Sequence, residues 1–165
     1  MRLLLDTHVI LWWLDDSPEL ADGVKDLLDT EPAVYAGAVS PWEIAVKQSL
    51  GKLDGPEDLA ERARDSQFTP LPVTAGHGVR AGRLPEHHRD PLDRLLIAQA
   101  QIEGMTLLTR DKWIPYYDVQ IMPVQKPPRA VQGPFRGGRP TSSVKFLPLR
   151  ADGRTLMHST GGGRC

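Results

Sequence analysis

Leu3-Leu4-Leu5-Asp6-Thr7-His8 sets three consecutive apolar residues in front of a carboxylate. An apolar run this short fits a strand covered on both faces, as in a parallel sheet. Asp6 then falls at the strand's carboxyl end, the edge of an open α/β sheet where ligands bind. Thr106-Leu107-Leu108-Thr109 repeats the pattern and runs into Arg110-Asp111. Between these two runs, helix-like segments carry Glu43 and Asp93 near their starts.

Working outward, Val9 to Leu14 predicts a short buried helix, ended by Asp15-Asp16-Ser17-Pro18. Ser17 as N-cap and Pro18 in the first position predict a second helix with Leu20, Val24, Leu27 and Leu28 as its apolar stripe. Ala33 to Ala36 reads as a strand. Ser40, Pro41 and Glu43 then fit the N-cap, first and third positions of another helix. That makes Ser40-x-x-Glu43 a capping box, so Glu43 has a capping reading beside a functional one. Pro56 to Gln67 reads as a polar helix. Phe68 to Val73 holds two prolines and suits only an edge strand or coil. Residues 74–84 predict a short helix, and Pro85 to Arg89 a polar loop that includes His87 and His88.

The clearest helix starts at Asp90 as N-cap, with Pro91 first and Asp93 third, and stops at Gly104. Lys112 to Tyr117 reads as a turn and Val119 to Val124 as a last edge strand. Strands that alternate with helices predict an α/β fold, a mainly parallel sheet flanked by helices.

Charge divides the chain in two. Residues 1–125 hold 12 Lys+Arg and 20 Asp+Glu, while residues 126–165 hold 8 and 1. The tail also has seven Gly and five Pro, a composition that suggests disorder. We therefore expect a domain over 1–125 and a basic, irregular extension over 126–165. An acidic body does not hold nucleic acid by charge alone, so such a role needs a metal or a local basic rim. The one cysteine, Cys165, allows no internal disulfide, which fits a reducing cytoplasm. Asp6 and His8 interrupt the apolar start, against a signal peptide. No run of about 18 apolar residues predicts a membrane span.

Asp6, Glu43, Asp93 and Asp111 are the candidate site. If all four share one sheet edge, carboxylates about 5 Å apart repel by about 3 kcal/mol at an effective dielectric near 20. Protons or a cation must neutralise them. Oxygen ligands without Cys suit Mg2+ or Mn2+, which can activate water and polarise a phosphodiester. Each acid also has a plainer reading: Asp6 as a strand-end turn residue, Asp93 as a helix-start charge, Asp111 as a loop residue. Asp90 reads first as a cap. His8, at the start of an apolar helix, reads as a packed or hydrogen-bonded residue, and His87 and His88 as loop residues. Trp12 and Trp13 read as core or dimer contacts. Arg89, Arg94, Arg110 and Lys112 are candidates for phosphate contacts, or a solvated surface.

These residues carry a resemblance. Leu5-Asp6-Thr7-His8-Val9, Ser40-x-Trp42-Glu43-Ile44-Ala45, His88-Arg89-Asp90-Pro91-x-Asp93-Arg94-Leu95-Leu96-Ile97-Ala98-Gln99-Ala100 and Leu108-Thr109-Arg110-Asp111 resemble the PIN-domain ribonucleases, and among them the VapC-type toxins of type II toxin–antitoxin pairs. The resemblance covers about residues 2–124. It implies a PIN-like three-layer fold, Mg2+ or Mn2+, hydrolysis of RNA, a homodimer and a small antitoxin that blocks the site. It also implies that Asp6, Glu43, Asp93 and Asp111 are catalytic metal ligands, with Thr109 a polar helper beside them. The tail beyond 125 departs from the family, whose members usually end near the last strand. Two other readings stand beside this one. The first is a PIN-like module that binds RNA or protein without cutting. The second is a haloacid-dehalogenase-like phosphatase, which would need an aspartate where His8 stands.

Overall fold

Leu3, Leu4 and Leu5 form the central strand, β1 (Leu3–Leu5), of a five-stranded sheet in a computed structural model that describes residues 1–125. All three side chains are fully buried. Burial of each leucine contributes about 2 kcal/mol, which is how so short a strand can sit at the centre. The others are β2 (Val34–Gly37), β3 (Thr69–Leu71), β4 (Thr106–Thr109) and β5 (Ile121–Pro123). Every pairing is parallel and the order is β3-β2-β1-β4-β5. Leu5 stands opposite Ala36 on one side and Leu108 on the other. The chain builds the sheet outward from β1 in one direction, then crosses back to lay down β4 and β5. The reversal falls between β1 and β4, the place where such sheets bind ligands.

The helices are α1 (Thr7–Leu14), α2 (Asp22–Thr30), α3 (Val39–Ser49), α4 (Leu59–Arg64), α5 (Ala75–Gly82) and α6 (Pro91–Glu103), with a 3-10 turn over Ile114–Tyr116. Side chains alternate across the sheet and build two cores. Leu3, Leu5 and Leu108 join Val9, Ile10, Leu28 and Ile44 on one side. Leu4 and Leu107 join Leu96, Ile97, Ala100 and Ile114 on the other. This is the parallel sheet flanked by helices expected from the alternation of strands and helices, in the three layers that the resemblance implies. Among the described residues, no helix is long and apolar enough to cross a membrane. The expected basic tail over 126–165 lies outside the described residues.

Several boundaries move. Ser17 and Pro18 do not open α2: the Ser17 hydroxyl accepts from the Glu19 amide within a turn, and the helix begins at Asp22. Tertiary structure overrides the local signal there. Leu20 is fully buried, and Ala21, whose amide donates to the Val124 carbonyl at 3.0 Å, takes an extended backbone that delays the helix. The polar helix expected from Pro56 shrinks to α4, preceded by a turn in which Leu59 donates to the Pro56 carbonyl. Strand β3, with Pro70 inside it, is an edge strand as expected.

Helix α6 follows its sequence signals. Asp90 accepts from the Leu92 amide at 2.8 Å, Pro91 comes first, and Gly104 ends the helix at φ 62° and ψ 46°. That left-handed conformation costs a residue with a Cβ about 1–2 kcal/mol. A Cβ at Gly104 would meet nothing within 4 Å, so only backbone strain opposes it. Gly104→Ala is expected to lower stability by about 1 kcal/mol, read as a fall in melting temperature.

Candidate active site

Asp6 sits where β1 and β4 end together. Its amide donates to the Leu108 carbonyl at 3.0 Å, the last rung between the two strands. Its extended backbone makes it the N-cap of α1, with Oδ1 accepting from the His8 amide. Oδ2 accepts from the Thr109 hydroxyl at 2.6 Å, and the Thr109 oxygen in turn accepts from the Asp111 amide at 3.0 Å. The end of β4 thus holds the carboxylate that β1 delivers. Burial pushes the Asp6 pKa up, but hydrogen bonds from His8 and Thr109 outweigh it and leave the carboxyl below its usual range. The His8 ring stands beside it, Nδ1 3.6 Å from Oδ1, and is exposed rather than packed in the core. The bond with Asp6 raises the His8 pKa against the opposing effect of burial.

A tighter group forms at the end of β4. Asp93 is the third residue of α6, and Asp111 follows β4. His88, in the loop before α6, places Nε2 3.1 Å from Asp93 Oδ2 and 3.3 Å from Asp111 Oδ2. The ligand-type atoms of His88, Asp93 and Asp111 all lie within 4.8 Å of one another. Asp111 Oδ1 is occupied by the Trp113 and Ile114 amides, at 2.6 and 3.2 Å, which leaves Oδ2 facing the group. The Asp93 pKa is pushed up to about 7. Burial is the largest cause and the Asp6 charge the next; Asp90 and Asp111 add to it, while His88 opposes it. The like charges expected from the sequence are therefore near enough to act on each other.

Glu43 stands apart from that group. The expected capping box is absent, because α3 begins at Val39 and its N-cap residue Ala38 makes no side-chain cap. Thr7, next to Asp6, draws the local groups away: its hydroxyl donates to Glu43 Oε2 at 2.6 Å and lies 3.0 Å from the Ser40 hydroxyl. Glu43 Oε1 pairs with Lys47 at 2.6 Å. Glu43 is thus tied to the start of α1 through one hydroxyl, and its plainer capping reading is removed.

The basic residues divide. Arg94, expected to face phosphate, instead donates to the carbonyls of Leu84, Pro85 and His88 at 2.7, 2.8 and 3.3 Å. It fastens the loop before α6. Arg94→Lys replaces two separate guanidinium nitrogens with one compact ammonium that does not span the same carbonyls, and is expected to lower stability by about 2 kcal/mol, read in a thermal melt. Arg110 lies 4.4 Å above the Trp12 ring and 3.7 Å from Glu19. Lys112 lies 5.2 Å from the Trp113 ring, and Arg89 is exposed. Trp13 packs edge-on against Phe68 and donates to Asp29, a core contact in line with one of its two expected roles. His88 is the residue that sequence reasoning passed over. Its only local signal was its place two residues before the N-cap of the helix that carries Asp93.

The donor set suits a divalent cation. Carboxylate oxygens dominate it, and one of them, on Asp93, is destabilised as an anion by its surroundings. Such crowding is relieved by a cation.

Solved structures share this architecture. The complex of VapBC2 from Rickettsia felis with a promoter DNA fragment matches with a TM-score of 0.60 at 15% identity, over 76% of this chain and 100% of that one. FitAB bound to the IR36 DNA fragment matches at 0.56 and 26% identity, over 74% and 94%. Ribonuclease VapC22 of Mycobacterium tuberculosis is 28% identical over 117 residues, 67% of this chain and 87% of the relative. The PIN domain model matches residues 3–119, and the chain belongs to the PIN domain family.

Proposed function

We propose that this protein is a metal-dependent endoribonuclease and the toxin of a toxin–antitoxin pair. One observation carries the reading: Asp6, Asp93 and Asp111, with Thr109 and His88, meet at the reversal point of a PIN-domain sheet. Asp93 and Asp111 would hold Mg2+ or Mn2+ with Asp6, and Glu43, linked to the start of α1 through Thr7, would be the fourth acid of the site. When bound there, the cation supplies charge neutralisation and Lewis acidity for hydrolysis of a phosphodiester.

The chain's own residues prepare that site. Thr109 holds Asp6 in one orientation and keeps it ionised, so one carboxylate is ready at neutral pH. Arg110 and Lys112, exposed beside Asp111, face the RNA backbone; Arg94 does not, since the loop holds it. With an excess of acids over residues 1–125, cleavage depends on these few cations and weakens as salt rises. The name of the curated relative supports RNA as substrate. The VapBC and FitAB neighbours support a small antitoxin as partner. The lone cysteine fits a reducing compartment, and we place the protein in the cytoplasm. The phosphatase reading is set aside by the PIN-domain match.

The test is digestion of a structured RNA pool by the purified full chain, with Mn2+, Mg2+ or chelator, beside single-stranded DNA of matched sequence. Metal-dependent cutting of RNA and not DNA is expected. A folded protein that binds RNA and leaves it whole under every metal would favour the non-cutting module.

A further inference from the structure

His88 is mounted with unusual care for a loop residue. Its carbonyl accepts from Arg94 and its amide donates to Tyr117 Oη at 2.7 Å; that hydroxyl donates on to the Pro85 carbonyl at 3.0 Å. The same Arg94 guanidinium holds the Leu84 and Pro85 carbonyls. The ring is fixed as well, since the Asp90 amide donates to Nδ1 at 3.1 Å. A backbone amide has only a proton to offer, so Nδ1 presents its lone pair. The ring's own proton then belongs on Nε2, the atom that faces Asp93 Oδ2 and Asp111 Oδ2. A metal ligand would need a lone pair on Nε2. With Nδ1 already accepting, that would leave an imidazole without any proton, or would break the bond with Asp90.

We propose that His88 is a positioning residue of the acidic site: as a hydrogen-bond donor, and not as a metal ligand, its Nε2–H draws the Asp93 and Asp111 carboxylates toward one point. The inference rests on the metal-site reading above and deepens it. The two carboxylates repel, and among the described residues His88 is the side chain that contacts both. The N–H bonds Asp111 Oδ2 while Asp93 Oδ2 lies 3.1 Å from the same nitrogen, so an oxygen of each is turned toward it, and each oxygen retains a second lone pair for a cation. Outer partners of this kind change metal affinity by about 10–100-fold when removed.

Two experiments on the full chain decide it. Nitrogen-15 imidazole spectra of the unaltered protein at pH 8 are expected to show His88 with a protonated Nε2 and a bare Nδ1, unchanged when Mg2+ is added. A bare Nε2, or loss of its proton on adding Mg2+, would overturn the proposal in favour of ligation. Calorimetry with Mn2+ gives the second readout. Glutamine sets its amide near the position of Nε2 and asparagine near that of Nδ1. His88→Gln is therefore expected to bind within about threefold of the parent, and His88→Asn and His88→Ala about 10–100-fold more weakly. Equal affinity in all four proteins would overturn the proposal. So would equal losses in the Gln and Ala variants, which would make His88 irreplaceable as a ligand or as packing. A parent that binds no Mn2+ would instead remove the metal site itself, and the spectrum would still show whether the bridge exists.

Discussion

Asp6→Asn is expected to cut RNA about 100-fold more slowly than the parent or worse, since an outer partner of a metal ligand is already worth about 10–100-fold and Asp6 is read as a ligand itself. The protein should stay folded. Asparagine keeps an oxygen that can accept from the His8 amide, so α1 remains capped. What is lost is a buried carboxylate that its surroundings hold ionised. The Thr109 hydroxyl, which now donates to Oδ2 at 2.6 Å, would face an oxygen or an amide of no net charge. Removing the Asp6 charge also removes the second-largest cause of the raised Asp93 pKa, so Asp93 should ionise at lower pH in the variant. Single-turnover cleavage at saturating Mn2+ checks the rate, and circular dichroism checks the fold. Parental cleavage by Asp6→Asn would sink its assignment.

Asp93→Asn carries the second large effect, and it points two ways. Metal-dependent cleavage should fall by a similar factor while the metal-free protein becomes more stable at pH 8. The sign follows from the proton balance. Asp93 titrates at about 7 in the folded protein against 3.8 ordinarily, so the folded state holds this proton more tightly than the unfolded chain does. Its contribution to stability is full below about pH 4 and is lost as pH rises through about 7. Three pH units correspond to about 4 kcal/mol at most. The side chain is 27% exposed, and water screens part of that, so about 1–3 kcal/mol is the expected difference. Melts in chelator at pH 5 and pH 8 would show a parent that loses stability between them and a variant that loses less. Mn2+ should then raise the melting temperature of the parent at pH 8 and leave Asp93→Asn nearly unmoved. Equal pH slopes in the two proteins would contradict the crowding argument.

What could be read from the chain follows the range of the forces involved. Leu3 to Leu5 and Thr106 to Thr109 could be placed as buried parallel strands because covered strands are apolar throughout, and they are neighbours in the sheet. Helix α6 was legible from Asp90, Pro91 and Gly104, whose effects act within a turn. Asp6, Asp93 and Asp111 followed from those elements, because strand ends and helix starts fix where a side chain can go. The failures are places where a distant partner outbid a local one. Ser40 and Glu43 match a capping box in sequence, but Thr7, more than thirty residues earlier, takes both groups. Arg94 resembles a phosphate contact until the carbonyls of residues 84–88 are folded against it. His88 lay in a loop without periodicity, and only the fold shows that it faces two of the acids.

The most direct test is RNA cleavage and melting temperature measured against the same Mn2+ titration, on the full chain at pH 8. The account predicts that the melting temperature begins to rise over the Mn2+ range in which cleavage reaches half its maximum and keeps rising beyond it, that chelator reverses both, and that Asp93→Asn shows neither. Cleavage that persists in chelator, or that saturates at a Mn2+ concentration where the melting temperature has not moved, would contradict a metal-dependent site built on these acids.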